Sequence, residues 1–411
     1  MEIRTKHMFA IATARLGTLF RACILLYSTV AFGQQSPDVF TVDTPFVHDP
    51  VMAVEDGIYY LYGTGNGISR YTSRDFKHWT GYRSGVMTVI PQWTRDSVPG
   101  FTQHVWAPDI IQFNGRWYMT YSCSTFGKNT SAIGLLSKSL LAADEPWRDE
   151  GCVIASRVGR DNWNAIDPNI VIDEQSRPWL AFGSFWDGIQ LVRLDSSLHV
   201  AHGARPFTIA RRYAPTDQNV ADNPTSRDAG PNAIEAPFIY YHRGWYYLFV
   251  SWDYCCQGMK STYRIAVGRS RQTIGPYLDR SGRDMLKGGG DIVLEGDKKT
   301  YEAVGHCAVY TVKGKPIMIC HGYSIEKEGA SVLVKKKVAP PHPLTRSPPL
   351  QKNGSNCFSQ VFFLKETAEG TNAFISCKLK TALCETFASL FRVFIIFVGT
   401  NLLLNCYLYR E

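Results

Sequence analysis

The sequence contains no C-x-x-C, so the cysteine spacing of zinc-binding and thioredoxin-like proteins is missing. Its 11 cysteines make no disulfide framework. Cys123, Cys307 and Cys320 lie in apolar, strand-like runs and read as small core residues. Cys255 and Cys256 are adjacent, where an ordinary bridge is geometrically strained. Also missing, between Pro45 and Lys337, is any long stretch with a 3.6-residue apolar period. Helix content should therefore be low. The net charge is +8, much of it from the ends of the chain, as at Lys335, Lys336 and Lys337. Neither a basic helix nor an aromatic RNA-binding signature accompanies it, so a nucleic-acid partner is not expected.

What is present favours strands. Aromatic residues make up 13% of the chain, with 10 Trp and 21 Tyr, which suits strands and sugar-stacking clefts better than helices. Near the N-terminus, Arg4, Lys6, Arg15 and Arg21 precede an apolar run at 22–32. Residues 31–33 (AFG) place small residues at the two positions a signal peptidase reads. The run is short for a bilayer span. Residues 1–33 are thus expected to be a signal peptide on a secreted protein, the alternatives being a membrane anchor or a mispredicted start.

An internal repeat organises the middle of the chain. Five aromatic or apolar runs follow a turn residue, at 57–62 (GIYYLY), 115–121 (GRWYMTY), 177–182 (RPWLAF), 244–249 (GWYYLF) and 314–319 (GKPIMI). Their starts are about 58, 62, 67 and 70 positions apart, by subtraction of successive starts. A second marker precedes each: 48–51 (HDPV), 106–109 (WAPD), 166–169 (IDPN), 235–238 (EAPF) and 305–308 (GHCA). Pro50, Pro108, Pro168 and Pro237 recur in phase with the runs. A residue before proline is pushed towards extended backbone, so Asp49 and Asp167 are expected to be extended where a strand begins. Self-similarity at a fixed period, several strands to a unit, predicts an all-β, five-bladed β-propeller over 34–338. A β-sandwich would also read as many short strands, but five in-phase markers favour the propeller.

Asp49, Asp167 and Glu235 are expected at matching stations of blades one, three and four. Cleavage of a glycosidic bond needs two carboxyl groups astride it, one protonated and one ionised. A third acid nearby resists joint ionisation and can keep the donor protonated.

These residues, with 47–51 (VHDPV), 63–68 (GTGNGI), 104–109 (HVWAPD), 163–168 (WNAIDP), 182–186 (FGSFW) and 233–237 (AIEAP), resemble endo-arabinanases of glycoside hydrolase family 43. The resemblance runs from about Asp43 to about Lys337. It implies endo-hydrolysis of α-1,5-linked arabinan with inversion. Asp49 would be the general base, Glu235 the general acid, and Asp167 would tune and orient the acid. Substrate contacts are implied for Asp49, Gly127, Asn164, Ala165, Ile166, Asp167, Ser184, Phe185 and Trp186, with Trp106 a further wall of the pocket. His306, at the axial station of blade five, is implied to lie near a hydrated cation, commonly calcium. One imidazole is a poor calcium site alone, so waters would supply most of the shell. No protein partner is expected, and the chain should act as a monomer. Asn129 and Asn353 fit the N-glycosylation pattern but are read as chance matches.

After Val338 the character changes. Proline clusters at 339–343 and 347–349 precede Cys357, Cys377, Cys384, Cys406 and an apolar run at 388–404 interrupted by Arg392. Residues 339–411 are therefore expected to be an atypical tail: a disordered extension, a frameshift or read-through, with a membrane anchor less favoured. Two other functions fit the repeat. One is an exo-acting arabinofuranosidase or xylosidase on the same fold; the other is a glycan- or protein-binding propeller without catalysis. The three acids argue against the last.

Overall fold

The computed structural model describes residues 38–214 and 229–338. The expectations for residues 1–33, for the tail at 339–411 and for Asn353 lie outside these residues. The chain divides at Thr345/Arg346, and everything from Arg346 onwards falls outside the described residues. Among the described residues no helix is long and apolar enough to cross a membrane.

Five antiparallel sheets form the blades of a five-bladed β-propeller. Their innermost strands are Val51–Glu55, His104–Phe113, Asn169–Ile172, Ile234–His242 and Tyr301–Val312. The five runs legible in the sequence are the second strands: Ile58–Gly63, Arg116–Cys123, Pro178–Phe182, Trp245–Trp252 and Lys315–Ser324. A blade is covered on both faces by its neighbours. Its second strand is therefore buried nearly end to end and reads as continuous rather than alternating hydrophobicity. Trp79, Tyr121 and Tyr246 are among the largest fully buried side chains. Cys123, Cys307 and Cys320 are buried and free, as expected. The one α-helix among the described residues is Gln92–Ser97.

The fifth blade differs from expectation. By order along the sequence, residues 291–294 read as a strand-like piece of blade five. Instead Asp291–Glu295 pairs with Arg264–Ser270 and completes blade four. Blade five keeps three strands, ending at Ala330–Lys337. Its outer edge is taken by the start of the propeller: Phe46 bridges Val332, Leu333 N–H donates to Pro45 O at 3.0 Å, and Val47 N–H donates to Ser331 O at 3.2 Å. The ring is thus closed by the segment that leads directly into Asp49.

The inner strands are also tied to one another. Asp109 accepts the Ile170 N–H at 2.8 Å and the Asn169 side-chain amide at 3.2 Å. Asn169 Oδ1 accepts the Ile239 N–H at 2.8 Å. Tyr310 Oη accepts the Met52 N–H at 2.9 Å. These contacts join blades two, three and four, and blade five to blade one. A cavity of about 360 Å³ lies along this stretch of the strands, lined in part by Asp109, Phe238, Tyr240 and Tyr310.

Candidate active site

Each inner strand is entered through one residue in the left-handed backbone region: Asp49 (φ 51), Ala107 (φ 44), Asp167 (φ 57), Ala236 (φ 54) and His306 (φ 49). This overturns the expectation of extended backbone at Asp49 and Asp167. The clash with proline disfavours the right-handed region. What selects the left-handed one is a bulge, seen as register breaks at Trp106/Asp109, Glu235/Phe238 and Gly305/Ala308. Such a conformation is costly for a residue with a Cβ, and surrounding contacts must hold it. Here each kinked residue's N–H is caught by a side chain from the preceding blade. The acceptors are His321 Nδ1 for Asp49, Thr64 Oγ1 for Ala107 and Ser122 Oγ for Asp167. Asp167 Oδ2 serves Ala236, and Ser251 Oγ serves His306.

The kinks also correct the alignment of the acids. Asp49, Asp167 and His306 share one station, whereas Glu235 stands one residue earlier, at the station of Trp106. All three acids are buried.

Asp49 is surrounded by imidazoles. Its Oδ1 lies 2.8 Å from His48 Nδ1, 3.0 Å from His306 Nδ1 and 3.5 Å from His321 Nδ1. Its Oδ2 accepts the Thr64 hydroxyl at 2.5 Å. Burial alone would raise its pKa, but His48 and His306 outweigh burial and hold it well below the usual carboxylate range. His306 shows the reciprocal effect. Burial opposes its charge, yet Asp49, Asp167 and Glu235 push it up to about 9.

Glu235 is held at both oxygens. Ser184 Oγ donates to Oε2 at 2.6 Å and Tyr263 Oη donates to Oε1 at 2.8 Å. Asp167 is joined to it through the Ala236 N–H, at 3.1 Å from Asp167 Oδ2. Burial raises the pKa of Asp167; His306 opposes, and the neighbouring Glu235 and Asp49 add to the rise. The net effect favours the protonated form of Asp167.

Two glycines make room for this arrangement. A Cβ on Gly63 would come within 2.5 Å of His48 O, so the turn that delivers Thr64 can lie against Asp49 only without one. A Cβ on Gly305 would overlap the Tyr263 ring, which positions the hydroxyl on Glu235.

The remaining expected contacts divide. Phe185 is half-buried, with its ring centroid 5.8 Å from that of Tyr254. Trp106 is half-buried and donates Nε1–H to His104 Nδ1 at 3.0 Å. Gly127 sits in an exposed turn beside Phe126, which is 77% exposed. Asn164, Ala165 and Ile166 are buried along the approach to Asp167, and Asn164 Oδ1 lacks a partner. Trp186 presents almost no ring to solvent: it is 2% exposed. Asn129 is also buried, its amide donating to Asp161 O at 2.8 Å, which suits the chance-match reading.

Sequence reasoning did not single out His48, Thr64, Tyr263 or His321. The first two lie inside motifs that were noticed. Tyr263 and His321 carry no local signal: Tyr263 reaches Glu235 across blade four, and His321 reaches Asp49 only when blade five meets blade one.

Among the described residues, the group with metal-ligand spacing is His48, Asp49 and His321, not His306. Both Nδ1 atoms are already engaged, since His321 Nδ1 accepts the Asp49 N–H at 3.1 Å and His48 Nδ1 faces Asp49 Oδ1, while His321 Nε2 is buried without a partner. At His306, Nδ1 is spent on Asp49 and the donor set is one imidazole. One imidazole makes no protein-built calcium cage.

A propeller whose inner strands gather two differently biased carboxyl environments is the architecture of a glycosidase. Residues 42–351 match Glycosyl hydrolases family 43, and the chain belongs to that family. The extracellular exo-α-(1→5)-L-arabinofuranosidase of Cellvibrio japonicus is 42% identical over 305 residues, spanning 74% of this chain and 84% of that protein. Extracellular endo-α-(1→5)-L-arabinanase 1 of Bacillus subtilis is 40% identical over 292 residues, spanning 70% and 83%. Among solved structures, an exo-1,5-α-L-arabinanase from a bovine ruminal metagenomic library has a TM-score of 0.66 at 51% identity, covering 72% of this chain and 94% of that one.

Proposed function

We propose that the protein is a secreted arabinanase that hydrolyses α-1,5-linked L-arabinan at internal bonds, with inversion at the anomeric carbon. The carrying observation is the division of labour among the buried acids. Asp49 is held ionised by His48 and His306, while burial and the neighbouring carboxylates favour the protonated form of Asp167, which is joined to Glu235 through the Ala236 peptide. A glycosidase needs one carboxylate that can accept a proton and one carboxyl that can give one.

In this reading Asp49 takes a proton from the attacking water as the water oxygen bonds to the anomeric carbon. Glu235 delivers its proton to the departing glycosidic oxygen as that bond breaks. Asp167 tunes the acid from across the Ala236 peptide, which it fixes beside Glu235. Ser184 can reverse its hydrogen bond when Glu235 is protonated, because a hydroxyl both donates and accepts. A hydrated calcium ion held by His306 through water would supply positive charge facing the acids. Metal analysis of the purified protein and melting before and after chelation test it.

The Bacillus relative is named as an endo enzyme and supports internal cutting. End-on cleavage is the second reading, favoured by the exo-named proteins at 42% and 51% identity. A product profile on linear, debranched arabinan separates the two: mixed oligosaccharides early in the reaction mean internal cutting, and a single short product throughout means end-on release. Proton NMR of the first products tests inversion. A retained α-anomer would require closer carboxyls and a covalent intermediate.

A further inference from the structure

We propose that Tyr323 and His48 are positioning residues for Asp49, and that the Cys255–Cys256 disulfide holds them in register. The inference rests on the reading of Asp49 as general base.

The two adjacent cysteines, expected not to form an ordinary bridge, are bonded to each other. They lie in the loop that follows Trp245–Trp252 of blade four, next to Tyr254. Cys256 is in the left-handed backbone region, with φ 66. Its N–H donates to Tyr323 Oη at 2.6 Å. Tyr323, on the second strand of blade five, has its hydroxyl 3.1 Å from His48 Nε2. His48 Nδ1 in turn lies 2.8 Å from Asp49 Oδ1.

The donors fix the direction of this chain. A backbone N–H can only donate, so the Tyr323 oxygen accepts at that contact and keeps its own proton for His48 Nε2. The imidazole then carries its proton on Nδ1, where it donates to Asp49. One proton assignment therefore satisfies every contact from blade four, through blade five, to the acid of blade one. The His48 ring is further clamped by stacking on His321, centroids 3.8 Å apart and planes 23° apart. His321 holds the Asp49 N–H, so both backbone and side chain of the acid are fixed by the same pair of rings.

The disulfide closes a small ring around the 255–256 peptide and limits its rotation. That keeps the Cys256 N–H aimed at Tyr323, with Cys256 Sγ 3.9 Å from His48 Nε2. Cys256 is exposed and open to a small reductant. Reduction by a dithiol breaks the S–S bond, forms two cysteine thiols and leaves the reductant as a cyclic disulfide, a transfer of two electrons and two protons. The freed peptide can rotate, and Tyr323 loses the donor that orients its hydroxyl.

The test compares wild type, Tyr323→Phe, the double variant Cys255→Ser/Cys256→Ser, and the triple combination, each before and after dithiothreitol. Melting curves check folding, and alkylation with peptide mapping checks the state of Cys255 and Cys256. Loss of the chain should lower kcat about 10- to 100-fold, the scale of a small misplacement of a reacting group, with KM nearly unchanged. Tyr323→Phe, the serine double variant and reduced wild type should fall alike. The triple variant should fall no further, and Tyr323→Phe should ignore reduction. Full kcat after mapped reduction, or losses that multiply in the triple variant, overturns the proposal. If the serine variant does not fold, reduction of the wild type decides. Asp49→Asn separates this from the larger reading. If that variant stays active, Asp49 is not the base; if it is dead while the other arms are unchanged, only the positioning chain fails.

Discussion

Asp49 and Asp109 are both buried aspartates on neighbouring inner strands, 7% and 4% exposed, and their pKa values move in opposite directions. Both feel desolvation, which disfavours charge. At Asp49 two imidazoles at contact distance overcome it. At Asp109 the partners are backbone N–H groups and an amide, and burial pushes it up to about 7. Burial alone thus does not mark the catalytic acid; the counter-charge does. The consequences for stability have opposite sign. Asp49, with a depressed folded pKa, contributes stability present above the unfolded value of about 3.9 and lost as pH falls through the folded value. Asp109, with a raised one, contributes stability present below about 3.9 and lost as pH rises through about 7.

The sharpest way to break this contrast is to neutralise the two ends separately. Asp49→Asn and Glu235→Gln should each reduce kcat/KM on arabinan by about 10²–10⁴-fold with the fold intact. Near wild-type hydrolysis by either, measured by reducing-sugar release, removes that residue from its role. Asp167→Asn should cost about ten-fold or more in rate. It should also move the alkaline limb of the pH–rate profile to lower pH, because a neighbouring acid that disfavours ionisation of the donor has been removed. An unchanged limb at full activity rejects the tuning role.

Asp109 is the counterpart with no part in chemistry. Asp109→Ala leaves the buried Ile170 N–H without its acceptor and should lower stability by about 1–3 kcal/mol while sparing kcat. Asp109→Asn keeps an acceptor and should remove the loss of stability between about pH 4 and 7. Denaturant titrations at pH 5 and pH 8 check both. A catalytic defect with unchanged stability would invert the assignment of the two ends.

What the sequence made legible was local. The second strands announced themselves because burial on both faces leaves an unbroken apolar run. The stations were marked by Pro50, Pro108, Pro168 and Pro237. Proline constrains its neighbour without choosing the bulge, so the left-handed φ at Asp49 was not readable. The register of Glu235, one residue off the others, was hidden for the same reason, since a bulge shifts which residue faces the axis. The assignment of 291–295 to blade four depended on pairing, and a short strand between two blades looks the same in either. His321 and the closure by residues 45–47 are contacts between distant segments with no sequence mark, and Tyr263 reaches Glu235 only through the pairing of blade four.

The smallest effect is expected at the C-terminus, and it tests whether the Asp49 end depends on anything past blade five. A chain spanning residues 34–338 retains every described contact that closes the ring. Leu333 N–H to Pro45 O, Val47 N–H to Ser331 O, and Ser331 Oγ to Val47 O at 2.9 Å all lie within it. The last strand also ends in Lys335, Lys336 and Lys337, and charged residues at an edge discourage pairing with another chain. The apolar run at 388–404, removed by the cut, would be a sticky surface if left undocked. The truncated chain should therefore melt close to the full chain, remain at least as soluble and keep its kcat/KM. The family match reaches residue 351, so a second truncation there provides the control. If the chain ending at 338 loses stability and the one ending at 351 regains it, blade five needs one more segment than the 45–47 closure provides. If both fail while the full chain folds, residues 352–411 are structural partners of the propeller, and the expectation of an artefact is wrong.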